Sequence, residues 1–166
     1  VIVMHPEQKA QAKQYFKTPL VFAVQEAKGL EYENIILYHF VSNDESRFQE
    51  ICKNVTLEDL KREELTYART KDKSDKSLEI FKFYINALYV AITRAICNLY
   101  WVETNSNHRL FNLLNLHAVT GDLETLPSQE SSLDEWRKEA HKLEMQGKQE
   151  QAEEIRHQIL KQEEVP

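Results

Sequence analysis

Glycine is nearly missing from this chain: 166 residues contain three, Gly29, Gly121 and Gly147. A loop that wraps a triphosphate needs several glycines close together, so that backbone N–H groups can turn toward the phosphates, and no G-x-x-x-x-G-K-[ST] string occurs. Whatever binds nucleotide here is therefore expected to be half a site. Cysteine is equally scarce, and Cys52 and Cys97 stand far apart without metal-ligand spacing. That pattern predicts two reduced packing residues, Cys97 within an apolar run, with neither a disulfide nor a metal site. An excess of positive charge is also lacking. Twenty-one Lys and Arg against 27 Asp and Glu leave a net charge of -6, which argues against strong nonspecific binding to nucleic acid, although one groove could still be basic. No run of 18 or more apolar residues and no charged-then-apolar leader is present, so neither a membrane span nor a signal peptide is expected, and the expected location is intracellular, cytoplasm or nucleus.

What the chain does have is a long apolar stretch with one charge in it. From Phe83 to Val102 the sequence reads FYINALYVAITRAICNLYWV, and Arg94 is its sole ionised side chain. Phe83, Ala87, Val90 and Arg94 recur at helical intervals, and Asn98 to Val102 is rich in β-formers, so a buried helix leading into a buried strand is predicted. Arg94 falls at the junction. A guanidinium desolvated without a partner costs several kcal/mol at least, so the stretch predicts an anion opposite it: an internal Asp or Glu, or a phosphate.

The string Asn86-Ala-Leu-Tyr-Val-Ala-Ile-Thr-Arg-Ala95 resembles motif VI of the UvrD/Rep-type superfamily 1 helicases, whose core is a YVAxTRA-like sequence. Upstream, and in the family's order, Gln25-Glu-Ala-Lys-Gly-Leu-Glu-Tyr32 resembles motif V, an H-x-x-K-G-L-E-F pattern. The flanking words look most like the helicase-like regions of large proteins that also carry TPR and ankyrin repeats. The resemblance covers roughly residues 1 to 116. It implies that Arg94 is an arginine finger on the γ-phosphate of ATP, that Thr93 orients its turn, that Gly29 and Glu31 lie near the nucleotide, Glu31 by the sugar, and that Gln25 and Lys28 approach the nucleic-acid backbone. Two departures stand out. Gln25 replaces the family's usual histidine, and a glutamine can donate to a phosphate but cannot titrate. Phe83, Tyr84 and Ile85 occupy the neighbourhood of an acidic-acidic-basic cluster, which removes polar groups that could have helped fix Arg94.

In order along the chain, Val1 to Met4 and Val21 to Val24 read as strands of a covered parallel sheet, with a surface helix from Glu7 to Phe16 between them and Pro19 stopping it. Ligands collect at the carboxyl ends of strands in open α/β sheets, which is where Gln25 to Tyr32 is expected. Gly29 suggests positive φ or close backbone approach there. Asn34 to Phe40 is a third strand, in which His39 is a packed residue and not a ligand. Ser42 to Glu45 has capping-box form and opens a helix to about Lys53, and Thr56 to Asp59 opens another to about Ala68. Arg69 to Lys76 reads as a solvated loop of mixed charge. A short amphipathic helix spans Asn107 to Leu116. Beyond it, Leu133, Trp136, Ala140 and Leu143, then Ala152, Ile155, Ile159 and Leu160, form two apolar stripes around Gly147, a helical hairpin resembling one TPR-like unit. One such unit cannot bury its face alone, so it must pack on the preceding domain or begin an array. Glu135, Lys138, Lys142, Glu150 and Glu153 are expected on its solvated face.

The expected architecture is α/β: a RecA-like parallel sheet flanked by helices over residues 1–117, the second motor domain of a helicase, then a linker over 118–131 and an α-helical hairpin over 132–164. Opening on Val1 and closing on Pro166, the chain is expected to be a piece of a longer polypeptide. An upstream RecA-like domain of the same polypeptide would complete the ATP site and supply the Mg²⁺-binding carboxylate, and single-stranded nucleic acid would be the track. ATP and Mg²⁺ would serve the intact protein, with none held by this piece alone. The alternative expectation is a catalytically degenerate helicase-like scaffold that binds proteins, in part through its C-terminal helices. A stand-alone nucleotide-binding protein is a third.

Overall fold

The structure, a computed structural model, describes residues 1–61, 77–118 and 131–160. Its centre is a four-stranded parallel sheet ordered β2-β1-β3-β4, formed by β1 (Ile2–Val3), β2 (Phe22–Ala23), β3 (Tyr32–Tyr38) and β4 (Ala95–Val102). Helix α1 (Lys9–Phe16) connects β1 to β2, while α2 (Glu45–Cys52) and α3 (Ser77–Ile92) lie between β3 and β4. Parallel strands need such crossovers, because the chain must return to the same end of the sheet before each new strand. Ile2 pairs with both Phe22 and Leu37, and β3 pairs with β4 from Tyr32–Ala95 to Tyr38–Val102, with an irregularity between Tyr32 and Asn34.

Alternate residues of each strand feed two cores, as a two-residue side-chain period requires. Ile2, Met4, Phe22, Ile35 and Leu37 enter the larger core with Phe48 and Cys52 of α2 and Tyr84, Ala87 and Ala91 of α3. Val3, Val21 and Tyr38 point the other way, onto Ala12 and Phe16 of α1. The covered sheet expected of Val1 to Met4 is present.

The apolar stretch behaves differently from the expectation of a buried helix and a buried strand. On α3, Phe83, Ile85 and Tyr89 are 43%, 51% and 68% exposed, and on β4, Ile96 and Tyr100 are 64% and 41% exposed. Cys97 is exposed as well, while Cys52 is buried. The cause is position: β4 ends the sheet among the described residues, and of its side chains Ala95, Leu99 and Trp101 pack against the larger core. Apolar composition alone does not say whether the covering partner belongs to the same chain.

The capping box expected at Ser42 to Glu45 does not form. The Ser42 hydroxyl donates to Glu103 at 2.6 Å, Asp44 accepts from Tyr84 at 2.8 Å and lies 3.0 Å from His5, and Glu45 accepts from Asn105 at 2.6 Å. Tertiary partners have taken the groups that would have capped the helix. At Thr56 the reciprocal pair with Asp59 does form, opening a single 3₁₀ turn, Asp59–Lys61. The expected continuation to Ala68, the loop Arg69 to Lys76 and most of the linker lie outside the described residues. His39, just past β3, stacks on Tyr38 at 4.1 Å.

After the short α4 (Arg109–Leu113) come α5 (Leu133–Met145) and α6 (Gln149–Ile155), the latter running into a π turn, Arg156–Leu160. Ser132 caps α5 in a capping box with Glu135. Gly147, at φ +74°, ends it: its N–H reaches the Glu144 carbonyl at 2.9 Å and the Lys148 N–H reaches Leu143 at 2.8 Å, the bonding pattern of a left-handed glycine stop. Ala140, Leu143, Ala152 and Ile155 are buried and join the larger core. The hairpin therefore packs on the sheet domain. Among the described residues no helix is long and apolar enough to cross a membrane.

Candidate functional site

The segment from Val24 to Glu31 leaves the carboxyl end of β2 and enters the amino end of β3. Because β2 and β3 are parallel, it has to cross the sheet from one rim to the other. Gln25, immediately after β2, lies at the carboxyl rim, whereas Gly29 to Glu31 lie at the amino rim. This corrects the expectation that all of Gln25 to Tyr32 gathers at carboxyl ends. The loop is folded by two turns, with Ala27 N–H donating to Ala23 at 3.0 Å and Leu30 N–H donating to Ala27 at 3.1 Å. Gly29 has φ +84°, and a Cβ built there meets nothing within 4 Å, so backbone conformation and not crowding accounts for glycine.

Arg94 arrives at the same amino rim from α3. The Thr93 N–H and hydroxyl both bond back to the Tyr89 carbonyl, at 3.0 and 2.8 Å, closing the last turn. β4 then begins at Ala95, and the Tyr32 N–H donates to the Arg94 carbonyl at 3.1 Å, fixing the junction beside the start of β3. The guanidinium Nε donates to the Val90 carbonyl at 3.0 Å, Nη1 to the Leu30 carbonyl at 3.0 Å, and Nη2 to the Thr93 hydroxyl at 3.1 Å. Two segments 64 residues apart are thus joined by one side chain.

No carboxylate lies within ion-pair distance of Arg94 among the described residues; its three partners are neutral oxygens. The anion expected opposite Arg94 is not supplied by these residues. Two physical facts make that arrangement tolerable: the side chain is only half-buried, and it sits at the carbonyl end of α3, where partial negative charge favours a cation. A guanidinium carries five N–H donors. Those not used in the three bonds, and the unneutralised charge, could receive an anion that approaches the rim from outside.

Gln25, Lys28, Gly29 and Glu31 are exposed, whereas Leu30 is buried. Gly29, Glu31, Thr93 and Arg94 therefore share the amino rim, while Gln25 stands apart from them. Beneath Arg94 is a small cavity of about 70 Å³ lined by Ile2, Phe22, Ala27, Leu30 and Tyr32, too small and too apolar for a nucleotide. A larger groove, about 620 Å³, lies beyond the carboxyl ends of β3 and β4, between Glu45 and Glu50 of α2, Lys53 just past its end, and Asn105 and Arg109. No motif announced that groove.

Sequence reasoning also missed an ionic cluster beside the loop. Lys9, 7% exposed, holds Glu26 at 2.9 Å and Glu150 of the hairpin at 2.6 Å. Burial pulls the Lys9 pKa down, but the bonds to Glu150 and Glu26 more than offset this and raise it overall. Lys9 looks in sequence like any surface-helix lysine, and Glu150 and Lys142 were expected on a solvated face. Both are exposed, as expected, and they make tertiary contacts as well: Glu150 pairs with Lys9 and Lys13, and the Lys142 ammonium lies 4.7 Å over the Tyr32 ring. The Tyr32 hydroxyl donates to Glu139 at 2.6 Å, and burial followed by that bond raises its pKa.

Among the described residues no group of three or more His, Cys, Asp or Glu side chains is arranged to hold a metal ion. No family model matches the chain, and no solved structure matches it.

Proposed function

We propose that the chain is the second RecA-like motor domain of a UvrD/Rep-type helicase or translocase, followed by the beginning of a helical region. The parallel order β2-β1-β3-β4 with flanking helices is consistent with a RecA-like arrangement. One observation carries the reading: Arg94, without a carboxylate partner among the described residues, is anchored to Leu30 next to Gly29, so the two helicase-like strings meet at one rim. An ATP bound between this rim and an upstream RecA-like domain would meet Glu31 at its sugar and the Arg94 guanidinium at its γ-phosphate. The charge that develops there in the transition state would be neutralised by the remaining guanidinium donors, held in place by Leu30, Val90 and Thr93. Mg²⁺ would be held by a carboxylate of the upstream domain. Gln25 and Lys28, on the same eight-residue connection, would face nucleic acid toward the other rim, so a shift at one end of the loop is felt at the other.

The test is Arg94→Ala in a polypeptide that includes the upstream domain. Nucleic-acid-stimulated ATP turnover is expected to fall by about 10³-fold or more, the range seen when arginine fingers are removed. Turnover within a few-fold of the parent would end the assignment.

A second reading is favoured by a specific observation: Phe83, Ile85, Tyr89, Ile96 and Tyr100 are exposed on neighbouring elements. In that reading the fold is a scaffold for protein partners, and Arg94 is only a clamp between α3 and the loop. An upstream sequence with a degenerate phosphate loop would favour it, and an intact phosphate loop followed by an acidic pair after a strand would favour the motor.

A further inference from the structure

We infer that Lys9 and Glu150 are positioning residues for the Val24 to Glu31 loop, so that the hairpin α5–α6 sets where this loop lies. The functional consequence rests on the motor reading above; the mechanical claim does not.

Helix α1 carries Lys9 and Lys13 one turn apart on one face, and α6 begins with Glu150 and Glu154 at the same spacing. The four meet face to face: Lys9 with Glu150 at 2.6 Å, Lys13 with Glu150 at 3.0 Å, and Lys13 with Glu154. Lys9 does more than close this contact. Its ammonium is shared with both oxygens of Glu26, at 2.9 and 3.1 Å, and Glu26 in turn accepts the Ala23 N–H at 2.8 Å, the first bond of the loop. A buried cation therefore lies between a carboxylate of the loop and a carboxylate of the hairpin. Among the described residues no other side chain of α1 hydrogen-bonds to the loop.

The hairpin also grips the segment at each end. Gln151, 2% exposed, donates to the Val21 carbonyl at 3.2 Å, and Glu139 accepts from Tyr32 at 2.6 Å. Between these anchors the side chains of Gln25, Lys28 and Glu31 are exposed and make no hydrogen bond of their own among the described residues. Their positions follow from the anchors. A partner that pulled on α6 would loosen Glu26 through Lys9, and with it the turn that presents Gln25 and Lys28. The C-terminal helices thereby become a control on the proposed nucleic-acid contact.

Amide hydrogen exchange on the whole chain tests this, with no nucleotide or nucleic acid present. Glu150→Gln, which spares the Lys9–Glu26 pair and so keeps the fold, is expected to speed exchange at the Glu26, Ala27 and Leu30 amides about five-fold, with β3 unchanged. Glu154→Gln, which disturbs the hairpin without touching Lys9, is expected to leave those amides at the parent rate. If α6 loosens in Glu150→Gln while the loop amides keep their rate, or if Glu154→Gln speeds the loop as much, the inference is overturned. Failure of the motor reading would appear in the Arg94→Ala turnover and would leave these exchange rates as they are.

Discussion

Arg94 spends its donors on three acceptors in different directions, and that geometry separates it from lysine. A planar fork can reach Leu30 and Thr93 from its two terminal nitrogens while Nε bonds Val90; an ammonium on a flexible stem cannot reproduce all three. Arg94→Lys is therefore expected to lose about 1 kcal/mol of stability, read from urea unfolding, even though the charge is retained. Gly29 makes a second residue-scale prediction. Open space surrounds its would-be Cβ, so Gly29→Ala has only the φ of +84° to contend with, a cost of roughly 1 kcal/mol. A loss of several kcal/mol in the same unfolding experiment would mean that crowding matters there after all.

At the scale of the element, α5 shows how local signals and packing divide the work. Its start is specified by Ser132 and Glu135, whose side chains and backbone N–H groups bond reciprocally, and its stop by Gly147. Ser132→Ala is expected to cost about 1 kcal/mol, visible as faster exchange in the first turn of α5 while the sheet keeps its protection. The end of the apolar stretch teaches the opposite lesson. α3 stops at Ile92, past which the Arg94 N–H bonds to the Ala91 carbonyl in a tightened last turn, and β4 starts at once at Ala95, three residues ahead of the β-rich string that marks a strand in the sequence. Pairing with β3 recruits those extra residues, since Tyr32 finds its partner in Ala95. A strand's bounds depend on its neighbour's length, which local propensity does not contain.

For the molecule as a whole, the hairpin and the sheet share a core. Leu143 is fully buried in the cluster that includes Phe22 and Leu30. Leu143→Ala is expected to cost about 3 kcal/mol and to lower the stability of both parts in one unfolding transition. Separate transitions for hairpin and sheet would contradict the shared core. Acid should act on the same contact. The hydrogen bond from Lys9 holds the Glu150 carboxyl below its ordinary 4.5, against opposing burial and with help from Lys13. A carboxyl whose folded pKa is depressed adds stability above its unfolded value and loses it as pH falls through the folded one. Thermal scans between pH 5 and about pH 3 should therefore show the parent's Tm dropping more steeply than that of Glu150→Gln.

By itself the sequence determined the α/β class, the succession of strands along the chain, the glycine turn at Gly29 and the helical hairpin around Gly147, because period, capping residues and glycine act over a few neighbouring positions. Several side chains were legible as types but not as contacts. Cys97 and Ile96 are apolar in any reading, yet their exposure followed only from β4 ending the sheet among the described residues. Tertiary structure alone decided that the Val24 to Glu31 connection crosses from rim to rim, that Arg94 bonds to Leu30, and that Lys9 lies between Glu26 and Glu150. Such contacts join residues up to 141 positions apart, and a partner at that distance is chosen by how the layers pack, which no local pattern of residues records.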